Sequence, residues 1–228
     1  MSDTEANVRA VARLVEILDL QLVDEDHFRA DTDQDEGRLF GGLILAQAVV
    51  AAGKTATKGG IHSLHAYFLR AGKPAMTVEY GVERIREGRT FLTRRVTAYQ
   101  GGDAIFEASI GFTLAEEGIG HQQRMPAAPD PESQPPWWQS LDLPPPPVQR
   151  RHWISPIDVR SAGMAGAGPD PSLPHRAVWA RPYAPLPEDP LIHAAVLAYM
   201  SDSGLVGTVA NHYRMWNQGT ASLDHAVW

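Results

Sequence analysis

The chain has 228 residues, 43% hydrophobic and 21% charged, with a formal net charge of -7 and no cysteine. That apolar content excludes a chain disordered throughout, and an acidic balance without a block of Lys and Arg excludes a general nucleic-acid binder. The lack of cysteine excludes disulfides and thiolate metal sites and fits a reducing compartment. The N-terminal MSDTEANVRA is acidic where a signal peptide would be basic and then apolar. The longest apolar run, residues 43–52, is interrupted by Gln47 and too short to span a bilayer. A cytoplasmic protein without a membrane span is expected, and nothing in the composition calls for a metal or another cofactor.

Residues 7–20 place Val8, Val11, Leu14, Val15, Ile17 and Leu18 at helical spacing, which predicts an amphipathic helix. Residues 21–29 read as a strand and residues 31–36 as an acidic, solvated loop. Gly41 and Gly42 then open GGLILAQAVVAA, a helix apolar on every side except at Gln47. Such a helix must be enclosed by other structure. Strand-like runs follow at residues 61–69, 76–85, 90–99 and 104–114. In the last, Phe106, Ala108, Ile110, Phe112 and Leu114 alternate with polar or small residues, the period of a half-buried strand. The breaks at 87–89 and 100–103 are short and contain Gly, so these strands are expected to be antiparallel neighbours. A sheet curled around one enclosed helix is the hot-dog arrangement.

Residues 116–155 are rich in proline, including Pro126, Pro129, Pro131, Pro135, Pro136 and 144–147, and are read as an extended linker. Trp137 and Trp138 are assigned to pinning that linker against a surface. A second unit is expected from about residue 156, with a strand at 175–181. A second enclosed helix is expected at 189–201, with Pro190 in its first turn and Gly204 just past its end. A further strand is expected at 206–215. The stretch IHSLHAYF after the first helix and ASLDHAVW after the second align on a shared His-Ala, which points to two copies of one unit. The first copy continues for three more strands and the second has none. The domain boundaries are therefore set at 1–115, 116–155 and 156–228, an α+β chain of two tandem hot-dog units with the second incomplete at its C-terminus.

Four motifs in order carry a resemblance to the acyl-CoA thioesterase II family, the double hot-dog thioesterases. They are Leu39-Phe40-Gly41-Gly42 with Gln47, His62-Ser63-Leu64-His65-Ala66-Tyr67-Phe68-Leu69-Arg70, Tyr199-Met200-Ser201-Asp202, and Leu223-Asp224-His225-Ala226-Val227-Trp228. The resemblance implies a hydrolase of fatty acyl-CoA that uses a water held by an Asp, a Ser or Thr, and a Gln. Asp202 and Ser222 match the first two positions, and the third lies past Trp228. It also implies an acyl-CoA substrate and association into homo-oligomers.

The chemistry is consistent with these residue types. A thioester needs an oriented nucleophile, a carboxylate can accept the proton of a water, and helix N-terminal amides can hold the oxyanion. Each candidate has a plainer reading. Asp202 can be a helix-end residue, Ser222 an ordinary strand serine, and Gly41 and Gly42 a site of close packing. Gln47 needs a buried partner and either ties the units together or faces the ligand; the structural role is favoured. His62 and His65 are expected on opposite strand faces, which removes them as one local pair and leaves His62 only a secondary candidate. The same alternation separates Asp224 from His225 and argues against a Ser222 triad. Two rivals stand beside the thioesterase: a catalytically silent acyl-CoA-binding module, and a hot-dog hydratase built on Asp189 and His193.

Overall fold

The computed structural model describes residues 3–34, 37–125, 127–135, 156–163, 177–213 and 221–228. Trp137, Trp138 and most of the expected linker lie outside them. Two compact units are present, and the chain passes between them more than once. One gathers Ala12–Glu116, Leu186–Ser203 and Ser222–Trp228, the other Met1–Val11, Glu117–Pro185 and Gly204–Ala221.

The first of these units follows the predicted elements closely. The helix α1 (Asp3–Ile17), which belongs to this unit from Ala12 onward, leads into a hairpin, β1 (Gln21–Asp24) and β2 (His27–Ala30), where the expected single strand turns back at Asp26 with φ 59. The helix α2 (Gly41–Thr55) is buried from Gly42 through Ala52, as its all-apolar sequence requires. The strands β3 (Gly60–Phe68), β4 (Val78–Glu87), β5 (Phe91–Gln100) and β6 (Asp103–Thr113) follow. With β9 (Asp224–Val227) they form a seven-stranded sheet in the order β1-β2-β4-β5-β6-β3-β9, every neighbouring pair antiparallel. Val78, Tyr80, Leu92, Val96, Phe106, Ala108, Ile110 and Phe112 form the inner face of this sheet and are at most 2% exposed. A sheet with its apolar face on one enclosed helix is the hot-dog core.

Two buried polar groups hold α2 in this core. Gln47 is fully buried, donates to the carbonyls of Ile17 at 3.0 Å and Asp31 at 2.8 Å, and accepts from the Tyr80 hydroxyl at 2.7 Å. Its donors and acceptor are spent on α1, the loop after β2, and β4, so its role is structural and lies within one unit. Arg94, fully buried on β5, donates to the Thr55 hydroxyl at 2.8 Å and the Thr55 carbonyl at 3.0 Å and pairs with Glu87. A cation placed at the last turn of α2 also meets the negative end of the helix dipole.

The helix α3 (Pro190–Ser201) belongs to the same unit. Asp189 caps it by accepting from the Leu191 amide at 2.9 Å, with Pro190 in the first turn. The two helices run antiparallel at very short range. A Cβ on Gly42 would lie 2.5 Å from the Tyr199 carbonyl oxygen, and one on Gly53 would lie 2.3 Å from a Leu191 methyl carbon. α3 is apolar all round, yet it buries only Ala195, Val196, Ala198 and Tyr199, and Leu197 is 54% exposed. Full enclosure, expected from its sequence, is not reached.

The second compact unit contains the antiparallel pair β7 (Ile157–Gly163) and β8 (Ala177–Pro182) and the helix α4 (Leu205–Tyr213). The strand expected at 206–215 is therefore a helix over its described part. Gly204, at φ 92, redirects the chain, and its carbonyl accepts the Thr208 amide in the helical i to i+4 pattern. Val206, Thr208 and Val209 gave the segment its strand character, and local hydrogen bonding overrode it. The proline-rich segment is strapped to the hairpin by groups that the sequence reading did not select. Trp179 donates to the Pro129 carbonyl at 2.9 Å, and Arg160 to the Pro131 carbonyl at 3.0 Å.

Candidate active site

The antiparallel packing of α2 on α3 brings the N-terminus of one helix to the C-terminus of the other, and Asp202 stands at that junction. It is the C-cap of α3, and its side chain is only 12% exposed. A Cβ on Gly41 would lie 2.8 Å from its Oδ2 and 2.9 Å from the Phe68 ring, so the glycine is what lets the carboxylate settle over the start of α2. Burial pushes the carboxyl up to about 6, and a hydrogen bond from the Gly42 amide pulls the other way. A carboxylate at the C-terminus of its own helix would be unfavourable, and the α2 amides offset this. Among the described residues the Gly41 amide, the first of α2, has no acceptor, which leaves a helix-start donor beside the carboxylate.

The third wall is β9. His225 is buried on its inner face, with a side chain 4% exposed. Its Nε2 lies 2.8 Å from the Ser201 hydroxyl, and its Nδ1 faces Asp202 Oδ1 at 3.8 Å. The Ser201 hydroxyl donates to the Ala198 carbonyl at 2.8 Å. A carbonyl has no proton to give, so the single hydroxyl proton is committed there and Oγ accepts from His225 Nε2–H. Ser201 is thus not arranged as a nucleophile, because the imidazole nitrogen beside it already carries a proton.

The other predicted site residues fall elsewhere. Ser222 precedes β9, is partly exposed, and makes no side-chain hydrogen bond to Asp202 among the described residues. Gln47 is held in the core as described. His62 lies on the outer face of the sheet, where the expectation of opposite faces for His62 and His65 is corrected. The β3–β6 register slips between Ile61 and Ser63, leaving His62 as a bulged extra residue. The bulge resets the alternation, and both histidines line one open depression with Ser63, Arg86, Phe91 and Trp228. Asp224 and His225 do face opposite ways, exposed and buried respectively. Among the described residues no group of three His, Asp or Glu stands close enough to hold a metal ion, and no helix is long and apolar enough to cross a membrane.

The pairing of β3 with β9 also revises the repeat. The two His-Ala dipeptides are directly opposed, His65 to Ala226 and Ala66 to His225. Yet His65 is exposed and His225 buried. A two-fold axis normal to the sheet cannot exchange faces, so the two histidines are not equivalent positions. A one-residue shift that matches Ser63-Leu64 to Ser222-Leu223 puts Ala66 and His225 in equivalent, inward-facing places.

Comparison with known proteins agrees with this architecture. Residues 29–113 match the model of the acyl-CoA thioesterase N-terminal domain, and residues 126–228 match that of the acyl-CoA thioesterase C-terminal domain. The chain is 34% identical over 248 aligned residues to acyl-coenzyme A thioesterase 8 of Mus musculus, covering 99% of this chain and 76% of the relative. It is 32% identical to acyl-CoA thioesterase 2 of Haemophilus influenzae, covering 94% and 79%. Among solved structures, the tesB protein of Mycobacterium avium subs paratuberculosis superposes with a TM-score of 0.80 at 30% identity, covering 96% of this chain and 79% of that one. The acyl-CoA thioesterase II TesB2 of Mycobacterium marinum superposes with a TM-score of 0.74 at 36% identity, covering 95% and 77%. With both halves matched in order, and with tandem hot-dog copies meeting at β3 and β9, the chain belongs to the acyl-CoA thioesterase family of thioester hydrolases.

Proposed function

We propose that this chain hydrolyses fatty acyl-CoA to free fatty acid and CoA, with Asp202 as the base that orients and deprotonates the attacking water. The observation that carries the reading is the position of Asp202: a mostly buried carboxylate, pushed up to about 6, against the start of α2, where the Gly41 amide has no acceptor among the described residues. A base whose proton affinity lies close to neutral both ionises at working pH and accepts a proton readily. The Gly41 amide and the positive end of α2 suit the oxyanion that forms as water adds to the thioester carbonyl. Ser222, which matches the family's Ser/Thr position, is read as the second hydrogen-bond partner of that water, with the start of α2 under the thioester. The carbon–sulfur bond then breaks, and CoA leaves as a thiolate that needs little help from an acid.

The hydratase reading loses its residues. Asp189 is committed to the Leu191 amide, and His193 Nε2 lies 2.9 Å from the Pro187 carbonyl, both at the exposed start of α3. A silent acyl-CoA-binding module remains the reading to test against. The same proposal assigns the enzyme to the cytoplasm, supported by a cysteine-free composition, and reads it as a homo-oligomer, supported by the position of β9 at the edge of the sheet among the described residues.

Thiol release from a panel of acyl-CoAs tests the activity directly. The Asp202→Asn substitution is expected to lower kcat by about 10²- to 10⁴-fold, the contribution of a positioned general base. Hydrolysis by Asp202→Asn at the wild-type rate would overturn the assignment of the base. Tight acyl-CoA binding without any turnover by the wild-type chain would establish the silent module instead.

A further inference from the structure

The side chain of His225 is almost wholly buried, and its Nδ1 has no hydrogen-bond partner. Buried polar atoms are rarely left so, and each exception calls for a physical reason. The tautomer is fixed by the chain of bonds from His225 Nε2–H to the Ser201 hydroxyl and from that hydroxyl to the Ala198 carbonyl. Nδ1 is therefore a bare lone pair, an acceptor awaiting a donor. The group it faces is Asp202 Oδ1, 3.8 Å away. Two acceptors opposed in a dry pocket repel until a proton lies between them, and a small rotation of the Asp202 side chain closes the distance.

We infer that His225 is a positioning residue whose neutral Nδ1 accepts a hydrogen bond from the protonated form of Asp202, the form created when the carboxylate takes a proton from the attacking water. This inference rests on the hydrolytic role proposed for Asp202. Proton and charge balance within the step. Water loses a proton to Asp202, hydroxide adds to the thioester carbonyl carbon, and the carboxylic acid so formed donates to His225 Nδ1. That proton leaves the pocket when the thiolate of CoA takes it up. By favouring the protonated carboxyl, the imidazole makes Asp202 a stronger base than burial alone would.

The groups around the pair support a neutral imidazole. From α3, besides Ser201 and Asp202, Tyr199 faces the start of α2, and burial holds its hydroxyl un-ionised. From α2, Gly41 and Gly42 bring no side-chain charge. On β9 itself, Asp224 projects to the opposite face and lies 3.8 Å from His65 of β3, and its charge favours the imidazolium. Burial acts in the other direction on His225 and outweighs it.

The pair His225→Gln and His225→Asn tests the inference. Glutamine keeps a donor for Ser201 and loses the acceptor facing Asp202, whereas asparagine places a carbonyl oxygen near the Nδ1 position. His225→Gln is expected to lower kcat about tenfold or more at unchanged KM and to move the acid limb of the kcat/KM profile to lower pH. His225→Asn is expected to keep the limb near its wild-type position. Nitrogen-15 NMR of the wild-type imidazole, which needs no variant, is expected to show a neutral ring with bare Nδ1 at neutral pH. A protonated Nδ1 in that spectrum, or an unmoved acid limb in His225→Gln, overturns the inference. If Asp202→Asn is inactive while the limb stays fixed, only the role of His225 falls; if Asp202→Asn is active, the hydrolytic role of Asp202 falls.

Discussion

Asp202 is maintained against the stability of the fold that contains it. Its folded-state carboxyl titrates at about 6, against an ordinary value of 3.8. The folded state thus penalises the ionised form. The penalty is absent below the unfolded value, grows between about 3.8 and about 6, and is complete above that. At 1.36 kcal/mol per unit it amounts to roughly 2 to 3 kcal/mol near neutral pH. Asp202→Asn, which keeps an oxygen for the Gly42 amide and carries no charge, is expected to be more stable than wild type above pH 6 by up to about that amount. The gain should vanish toward pH 4, and thermal unfolding at both pH values measures it. Equal melting temperatures at pH 8 would show that the carboxylate is better solvated than its burial implies. Asp202 was legible in the sequence only through its motif, because a helix-end aspartate is commonplace. His225 was legible only in part. Strand alternation put it opposite Asp224, but which side would be buried depended on a pairing partner 159 residues earlier in the chain, where Ala66 faces it.

At the level of elements, the crossing of α2 on α3 places the site. The sequence showed both helices through their unbroken apolar character and offered Gly41 and Gly42 as a site of close packing, yet not that the backbone meeting Gly42 would be that of α3. Two substitutions separate packing from chemistry. A methyl at Gly42 would meet the Tyr199 carbonyl and the Phe40 ring at 2.5 Å, and backbone cannot give way cheaply. Gly42→Ala is expected to destabilise the protein by about 1–3 kcal/mol, read as a lowered melting temperature. A methyl at Gly41 meets the movable Asp202 carboxylate and Phe68 ring. Gly41→Ala is expected to fold and to lose up to about 100-fold in kcat through a displaced base, and unchanged kcat would remove Gly41 from the site. The strands β3 to β6 matched the alternating pattern because one face is apolar and the other wet. The bulge at His62 and the helix at Leu205–Tyr213 were missed, since a single inserted residue leaves no compositional trace and β-branched residues occur in both kinds of element.

For the molecule as a whole, β9 decides what the sheet can do next. Phe68 donates its amide to the Leu223 carbonyl, and antiparallel alternation then directs the amides of Asp224 and Ala226 away from β3. Among the described residues no strand pairs with those amides, which lie along the edge of the sheet. Ala226→Pro removes one outward amide while leaving the bonds to β3 in place. If copies of the chain associate through this edge, sedimentation should find the variant smaller than wild type with its hydrolysis retained. An unchanged sedimentation coefficient would place the contact elsewhere. The double hot-dog plan was readable from two apolar helices and their following strands. The passage of the chain between two compact units was not, because it depends on contacts between residues far apart in sequence.

The close antiparallel helices have one more consequence. α3 ends on Asp202, whereas α2 ends on Ala56. In a symmetric dimer of single units, any residue that served one helix end would be imposed on the other as well. Joined in one polypeptide, the two copies are free to diverge, so one junction carries an acid and its counterpart a methyl group. A destabilising charge is thereby confined to one junction, and the opposite junction can be optimised for cohesion alone.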